Sequence, residues 1–244
     1  MKKETVKCDK HGSCDATYMC SHLLKGENLG FICGYDETDQ DKTYPDAWCN
    51  ACEKMRVSED GWTDKAINFA GIKLICSSCY EGIRLRNWID NNTKFEEIID
   101  KSYEYIQEKQ KKLIEEYKID TYERWDWDQD TGLLIFSHDG KPIVEAKIDF
   151  SGTFSSLSKT WLWAWSNSSL SELVKSESRK VRDLGDEYCI LKLASAKWNA
   201  DEIDGWEMTT IMARELKAKG VYRTPNKNGF VYMIIKDICW IKNP

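Results

Sequence analysis

The chain has 244 residues, a formal net charge of -6 from 35 Lys plus Arg against 41 Asp plus Glu, 41% hydrophobic residues and ten cysteines. That length accommodates one large or two modest domains, and two are expected. Acidic residues outnumber basic ones in each of the segments 1–92, 93–120 and 121–244, so nothing favours nucleic acid, whose backbone is bound through clustered Lys and Arg.

The opening Met-Lys-Lys-Glu-Thr-Val-Lys-Cys has no apolar run behind its charges, and no stretch reaches membrane-spanning length. Neither a secretory signal nor a membrane partner is expected. A cytoplasmic location follows, where thiols serve metals more readily than disulfides.

Residues 1–92 hold eight of the ten cysteines and two of the three histidines. Cys49-Asn-Ala-Cys52 and Cys76-Ser-Ser-Cys79 are two Cys-x-x-Cys knuckles, each aiming two sulfurs at one point, and together they predict a four-thiolate zinc site. Cys8-x-x-His11 and Cys20-x-His22 predict a second tetrahedral site, with Cys14 or Cys33 able to replace one of its four ligands. Two zinc ions are expected. A short strand, Ile72 to Ile75, delivers Cys76, and a short helix follows Cys79, the plan of a small treble-clef zinc module. Arg84 and Arg86 on that helix read as a solvated face. The stretch Tyr35 to Pro45 reads as an acidic loop.

Residues 93–120 carry apolar residues at helical spacing from Phe95 to Tyr117 and predict a long connecting helix, with Thr93 and Glu96 as a capping box. The stripe breaks between Lys109 and Lys112, which argues against a coiled coil.

In residues 121–244 the period changes to two. Strands are expected through Trp125 and Trp127, from Leu133 to Phe136 and from Ile143 to Phe150, with turns at Asp130-Thr-Gly132 and His138-Asp-Gly140. Trp161, Trp163 and Trp165 alternate along one strand face as a core layer, or alternatively line a pocket with Asn167 at its mouth. A helix from Ser168 to Leu184 stops at Gly185; a strand follows from Tyr188 to Leu193. Asp201 to Gly220 is a second helix, and Gly229 to Ile241 a long closing strand. Cys189 and Cys239 read as thiols buried in strands. The fold class is α+β: a small treble-clef-like zinc module, a connecting helix, then an antiparallel sheet with packed helices.

The second half resembles an uncharacterised bacterial family through Trp125-Asp-Trp127, Thr160-Trp-Leu-Trp-Ala-Trp165 with Asn167, Asp204-Gly-Trp-Glu-Met-Thr209, Gly220-Val-Tyr222 with Pro225, and Asp237-Ile-Cys-Trp240. The zinc half resembles another bacterial arrangement through Cys8-x-x-His11-Gly12, Cys20-Ser-His22-Leu23, Pro45-Asp-Ala-Trp-Cys49 and Cys79-Tyr80. Domains of this kind are found among toxin immunity proteins, so the resemblance implies a protein partner, namely a cognate toxin neutralised by direct binding. It transfers no catalytic residues. The alternatives are a zinc enzyme in which one of Cys8, His11, Cys20 and His22 gives way to water, or a nucleic-acid-binding zinc protein.

Overall fold

The computed structural model describes residues 5–34, 44–122, 124–128 and 132–241. Most of the expected acidic loop and most of the Asp130 turn lie outside those residues. The chain divides into two compact units, Met1–Asp90 and Asn91–Pro244.

The first unit is built around one strand. β1 (Thr5–Cys8) and β2 (Gly12–Met19) form a hairpin in which Cys8 faces Gly12. Gly12 sits at φ +73°, a left-handed conformation that glycine adopts without a Cβ penalty. Then come α1 (Ser21–Lys25), β3 (Ile32–Gly34), β4 (Asp46–Trp48), α2 (Asn50–Ser58), α3 (Asp64–Ala70), β5 (Lys73–Cys76) and α4 (Ser77–Asn87). β2 pairs antiparallel with β1 and β5 and parallel with β4. Tyr80 is fully buried and meets Phe31 edge-on, with ring centroids 5.3 Å apart.

Of the two arginines of α4, Arg84 is buried, which corrects its reading as a solvated face, while Arg86 is exposed as expected and uses its guanidinium on α1. The Arg84 guanidinium lies 4.7 Å from the Trp88 ring centroid. Arg86 donates to the carbonyls of Leu23, Leu24 and Gly26 at 3.2, 3.0 and 3.0 Å, satisfying the free end of α1.

The second unit opens with α5 (Asn92–Tyr117), the helix expected as a connector, which lies wholly within this unit. Its cap is Asn91 rather than Thr93: the Asn91 side chain accepts from Lys94 N–H at 3.1 Å. Phe95, Ile98, Ile99 and Ile106 pack in one hydrophobic cluster, and Leu113, Ile114 and Tyr117 in another. The polar break between them has a use. Gln110 accepts the Val221 backbone N–H at 2.8 Å, pairing a donor of an edge strand.

The strands are β6 (Arg124–Asp128), β7 (Leu133–His138), β8 (Lys141–Ser155), β9 (Thr160–Trp163), β10 (Lys197–Asn199), β11 (Gly220–Asn226) and β12 (Gly229–Trp240). They form one antiparallel sheet around the 15-residue β8. β12 runs along one edge of β8, while β7 and β9 share the other, and the β8–β12 pairing carries two register shifts, one at Ser151 of β8 and one at Lys236 of β12. Alternation along β12 sends Tyr232 and Ile234 to the first cluster, Met233 and Ile235 to the second. Trp161 and Trp163 are fully buried on the first face, with rings 5.3 Å apart edge-on. At roughly 200 Å² per indole and about 25 cal/mol per Å², each contributes roughly 5 kcal/mol before conformational entropy.

Four expectations fail here. Trp165 stands on a 3-10 turn (Ala164–Ser166), not on the strand, although it joins the same core. Helix α6 (Glu172–Tyr188) runs through Gly185, whose missing Cβ would lie 2.6 Å from the backbone nitrogen of Ala194. That glycine permits a close approach by α7 (Leu191–Ala194), which occupies part of the expected strand. Cys189 ends α6 in the left-handed conformation, φ +55°, and is exposed, as is Cys239 in β12; neither is a buried strand thiol. The last helix, α8 (Glu202–Glu215), opens with a reciprocal capping box between Asp201 and Asp204. Among the described residues no helix is long and apolar enough to cross a membrane.

Candidate metal centres

Hairpin and helix geometry bring eight ligating side chains into two groups. Cys8 ends β1, and His11 sits in the turn that follows. Cys76 ends β5 and caps α4, whose first turn carries Cys79. Pairing of β2 with β5, with Ala16 opposite Cys76, holds the two pieces together. Cys8, His11, Cys76 and Cys79 therefore converge.

The second group forms at the other end of β2. Cys20 caps α1, which contains His22, and Cys49 caps α2, whose first turn carries Cys52. The Cys20 N–H donates to the Ala47 carbonyl at 3.0 Å, and Met19 pairs with Ala47, so Cys20 is fixed beside Cys49. Cys20, His22, Cys49 and Cys52 converge.

In each group the four ligand atoms lie within 4.8 Å of one another. Zinc bonds of about 2.3 Å to sulfur and about 2.0 Å to nitrogen, arranged tetrahedrally, put sulfurs about 3.8 Å apart and sulfur and nitrogen about 3.6 Å apart. In the first group His11 Nδ1 is 3.6 Å from Cys8 Sγ and 3.5 Å from the sulfurs of both Cys76 and Cys79, and Cys8 Sγ is 4.0 Å from Cys79 Sγ. In the second, Cys49 Sγ lies 3.7 Å from Cys52 Sγ and 3.8 Å from His22 Nδ1, while His22 Nδ1 lies 3.2 Å from Cys52 Sγ. A disulfide needs about 2.05 Å, so these sulfurs are placed as tetrahedron edges and not as bonded pairs. The cysteines are free thiols. Both clusters could hold a metal ion.

The electrostatics point the same way. Cys8 is pulled down to about 6 by the backbone N–H of Lys10, then by Cys76 and the His11 N–H. Cys79 is pushed up to about 11 and Cys20 is raised, in both cases chiefly by desolvation; burial also raises Cys52. Crowding sulfurs away from water opposes ionisation, and a divalent cation at the centre reverses that opposition. Both knuckle pairs also stand at helix N-termini, where the helix dipole favours thiolate.

All eight expected ligands fall in these two clusters, but they are regrouped. The expected sets are Cys49, Cys52, Cys76 and Cys79, and Cys8, His11, Cys20 and His22. The observed sets pair the outermost motifs with each other and the inner motifs with each other. β2 is the reason: its eight residues, at about 3.3 Å each, place His11 and Cys20 roughly 25 Å apart at opposite ends of a straight strand. Each set thereby contains three cysteines and one histidine. Cys14 and Cys33 belong to neither: Cys14 Sγ donates to the His11 carbonyl at 3.6 Å, and Cys33 Sγ lies 3.5 Å from the Tyr80 hydroxyl.

Outside these centres, His138 is exposed at the end of β7, 3.8 Å from Asp139. Trp161 and Trp163 are fully buried in the core, whereas Asn167 borders a cavity in the second unit. The helix-capping role of Arg86 has no counterpart in the sequence reading. A basic residue one helical stretch after a knuckle gives no signal of it, because the Gly26 carbonyl it reaches lies 60 positions earlier.

Residues 96–238, more than half of the chain, match a family of unknown function, DUF6882. No curated protein and no solved structure matches the chain.

Proposed function

We propose that this chain, which belongs to the DUF6882 family of unknown function, is a non-catalytic binding protein whose first unit is held by two structural zinc ions and docks on a protein partner. The observation that carries this reading is an apolar outer face beside two complete ligand sets. Tyr18 and Leu74 are register partners on β2 and β5, so their side chains share a face, and they are 41% and 46% exposed. Ile72, Phe69 and Ile67, in the segment leading into β5, are exposed as well. Adjacent exposed apolar side chains such as Tyr18 and Leu74 suit an interaction surface.

Four protein ligands at each centre leave no position for substrate, which is the pattern of structural rather than catalytic zinc. The α4 arginines that follow Cys79 stack on Trp88 and bond the end of α1, which counts against phosphate recognition. Of protein partners, the reading favoured by the resemblance is a cytoplasmic toxin neutralised by direct binding; the chain's acidity suits a basic target surface.

The test uses the zinc-loaded chain as bait in a bacterial lysate, with the captured protein identified by mass spectrometry and then expressed alone. The reading expects the captured protein to arrest growth, co-expression of this chain to restore it, and Tyr18→Asp with Leu74→Asp to abolish capture while both zinc ions remain. A harmless captured protein would defeat the toxin reading. Unchanged capture by the double variant would defeat the assigned face.

A further inference from the structure

In the second unit, helices α5 and α8 are tied together where Arg214 donates to the Ile98 carbonyl at 3.3 Å. Further along α5 a groove of about 870 Å³ lies between them, lined by Tyr103, Ile106, Gln110 and Ile114 of α5 and by Ile203 and Trp206 of α8. Residues three or four positions apart share a helix face, so each helix turns one stripe to the groove. From Tyr103 to Ile114 that stripe runs roughly 16 Å at about 1.5 Å per residue, or about three turns. Val221 of β11, buried beneath, forms the base. The walls are apolar and open: Ile203 is 58% exposed and Tyr103 38%.

The outer rim is acidic. Asp100, Glu104, Glu108, Lys111 and Glu115 follow one another on α5 at steps of three or four, all exposed, and the last two line the groove. Glu115 lies 3.9 Å from Lys111, so that pair is neutral and three carboxylates of the row remain uncompensated within it. The other lysines of this stretch stand aside: Lys101 and Lys112, two positions from Tyr103 and Ile114, are farther round the helix, and Lys109 lies over the Tyr105 ring. On α8, Glu202 is paired with Arg223, whereas Glu207 lies near Tyr103, whose pKa is raised first by burial and then by the Glu207 charge.

We propose that this groove receives an amphipathic helix of a partner protein, its apolar stripe flanked by Lys or Arg. A helix is about 10 to 12 Å across and offers anchors at i, i+3 or i+4 and i+7, which suits an open trough about three turns long between two helices. Basic flanks match the carboxylates of Asp100, Glu104, Glu108 and Glu207. A second copy of this chain is a poorer match, because a symmetric contact would bring the same acidic rims together. The site lies in the second unit and does not rest on the face assigned to the first.

The test follows a labelled leucine-lysine peptide, amphipathic and about four turns long, by fluorescence anisotropy as the full-length, zinc-loaded chain is added. The same peptide with glutamate for lysine, and one with its leucines shuffled off a common face, are the controls. The proposal expects saturable 1:1 binding of the first peptide and at least about tenfold weaker binding of both controls. Ile203→Asp and Tyr103→Asp should each weaken it about tenfold, the loss of one buried apolar anchor. Both side chains are exposed, and unchanged melts establish that the fold is intact. Glu104→Gln with Glu108→Gln should weaken binding about threefold and flatten its salt dependence. Tyr18→Asp with Leu74→Asp should leave it unchanged. Because Ile203→Asp adds a negative charge, attraction by charge alone would keep or tighten binding there, and that result would overturn the proposal. Loss of binding in the Tyr18 and Leu74 variant, equal binding of either control peptide, or no saturable binding would overturn it as well. A dimeric chain that Ile203→Asp converts to monomers would overturn it in favour of a second copy.

Discussion

The sulfur of Cys8 lies 4.0 Å from the sulfur of Cys79, 71 positions further along the chain. This contact closes the first unit from end to end. The outer pairs form one cluster and the inner pairs the other, so a metal ion at the first would tie the opening hairpin to α4. One at the inner cluster would tie α1 to α2 within that loop.

Removing the metal should therefore unfold the first unit selectively. Structural zinc contributes about 10 to 16 kcal/mol to the folding of small modules, as much as the whole net stability of about 5 to 15 kcal/mol that a domain holds. A strong chelator is expected to collapse the dispersed amide resonances of residues 5–90 while those of the Trp161 and Trp163 core persist. Retention of the first unit's spectrum after full zinc removal would count against a metal-held fold.

Gly205 in α8 lies so close to Tyr232 that a Cβ there would come within 2.5 Å of the ring. The ring has nowhere to go: it is fully buried, and its hydroxyl donates to the Glu202 carbonyl at 3.2 Å. Helix propensity favours alanine by about 1 kcal/mol, but overpacking opposes it by about 1 to 3 kcal/mol. Gly205→Ala should lower the stability of the second unit in urea melts, and a gain in stability would refute this account of the glycine.

Glu207 has its carboxyl pKa raised, first by desolvation and then by the nearby Asp204 carboxylate. A raised carboxyl pKa gives a contribution to stability that is fully present below its ordinary 4.5 and is lost as pH rises through the folded-state value. At pH 7 the charged group is thus a net cost. Glu207→Gln is expected to be more stable than the parent at pH 7 by a few tenths of a kcal/mol, because the partly exposed site is screened by water, and equal to it near pH 4. Melts at the two pH values measure this; a variant that is less stable at pH 7 would reverse the sign.

The ligands of both centres are legible in the sequence because Cys-x-x-Cys and Cys-x-x-His motifs are local: one turn of chain sets the geometry of each pair. Their grouping is not, since it depends on the straight run of β2 and on its pairing with β4 and β5, which are long-range facts. The same division holds in the second unit. The span of α5 and the strands around Trp127, Leu134 and Ile148 follow from period alone. Gly185 misleads because a glycine that ends a helix and one that admits a neighbouring backbone look alike in sequence. The left-handed turn at Cys189 carries no residue signal, and the short apolar stretch after it reads as a strand where packing of Leu193 and Ala194 against α6 makes it helical.

The most direct measurement is the zinc content of Cys8→Ser/Cys79→Ser after competition with a mild chelator, by native mass spectrometry. Nested centres predict that this double variant keeps one tightly held zinc ion, at the intact set of Cys20, His22, Cys49 and Cys52. Loss of tight binding at both centres would contradict the account, because it would place Cys8 and Cys79 in different sites.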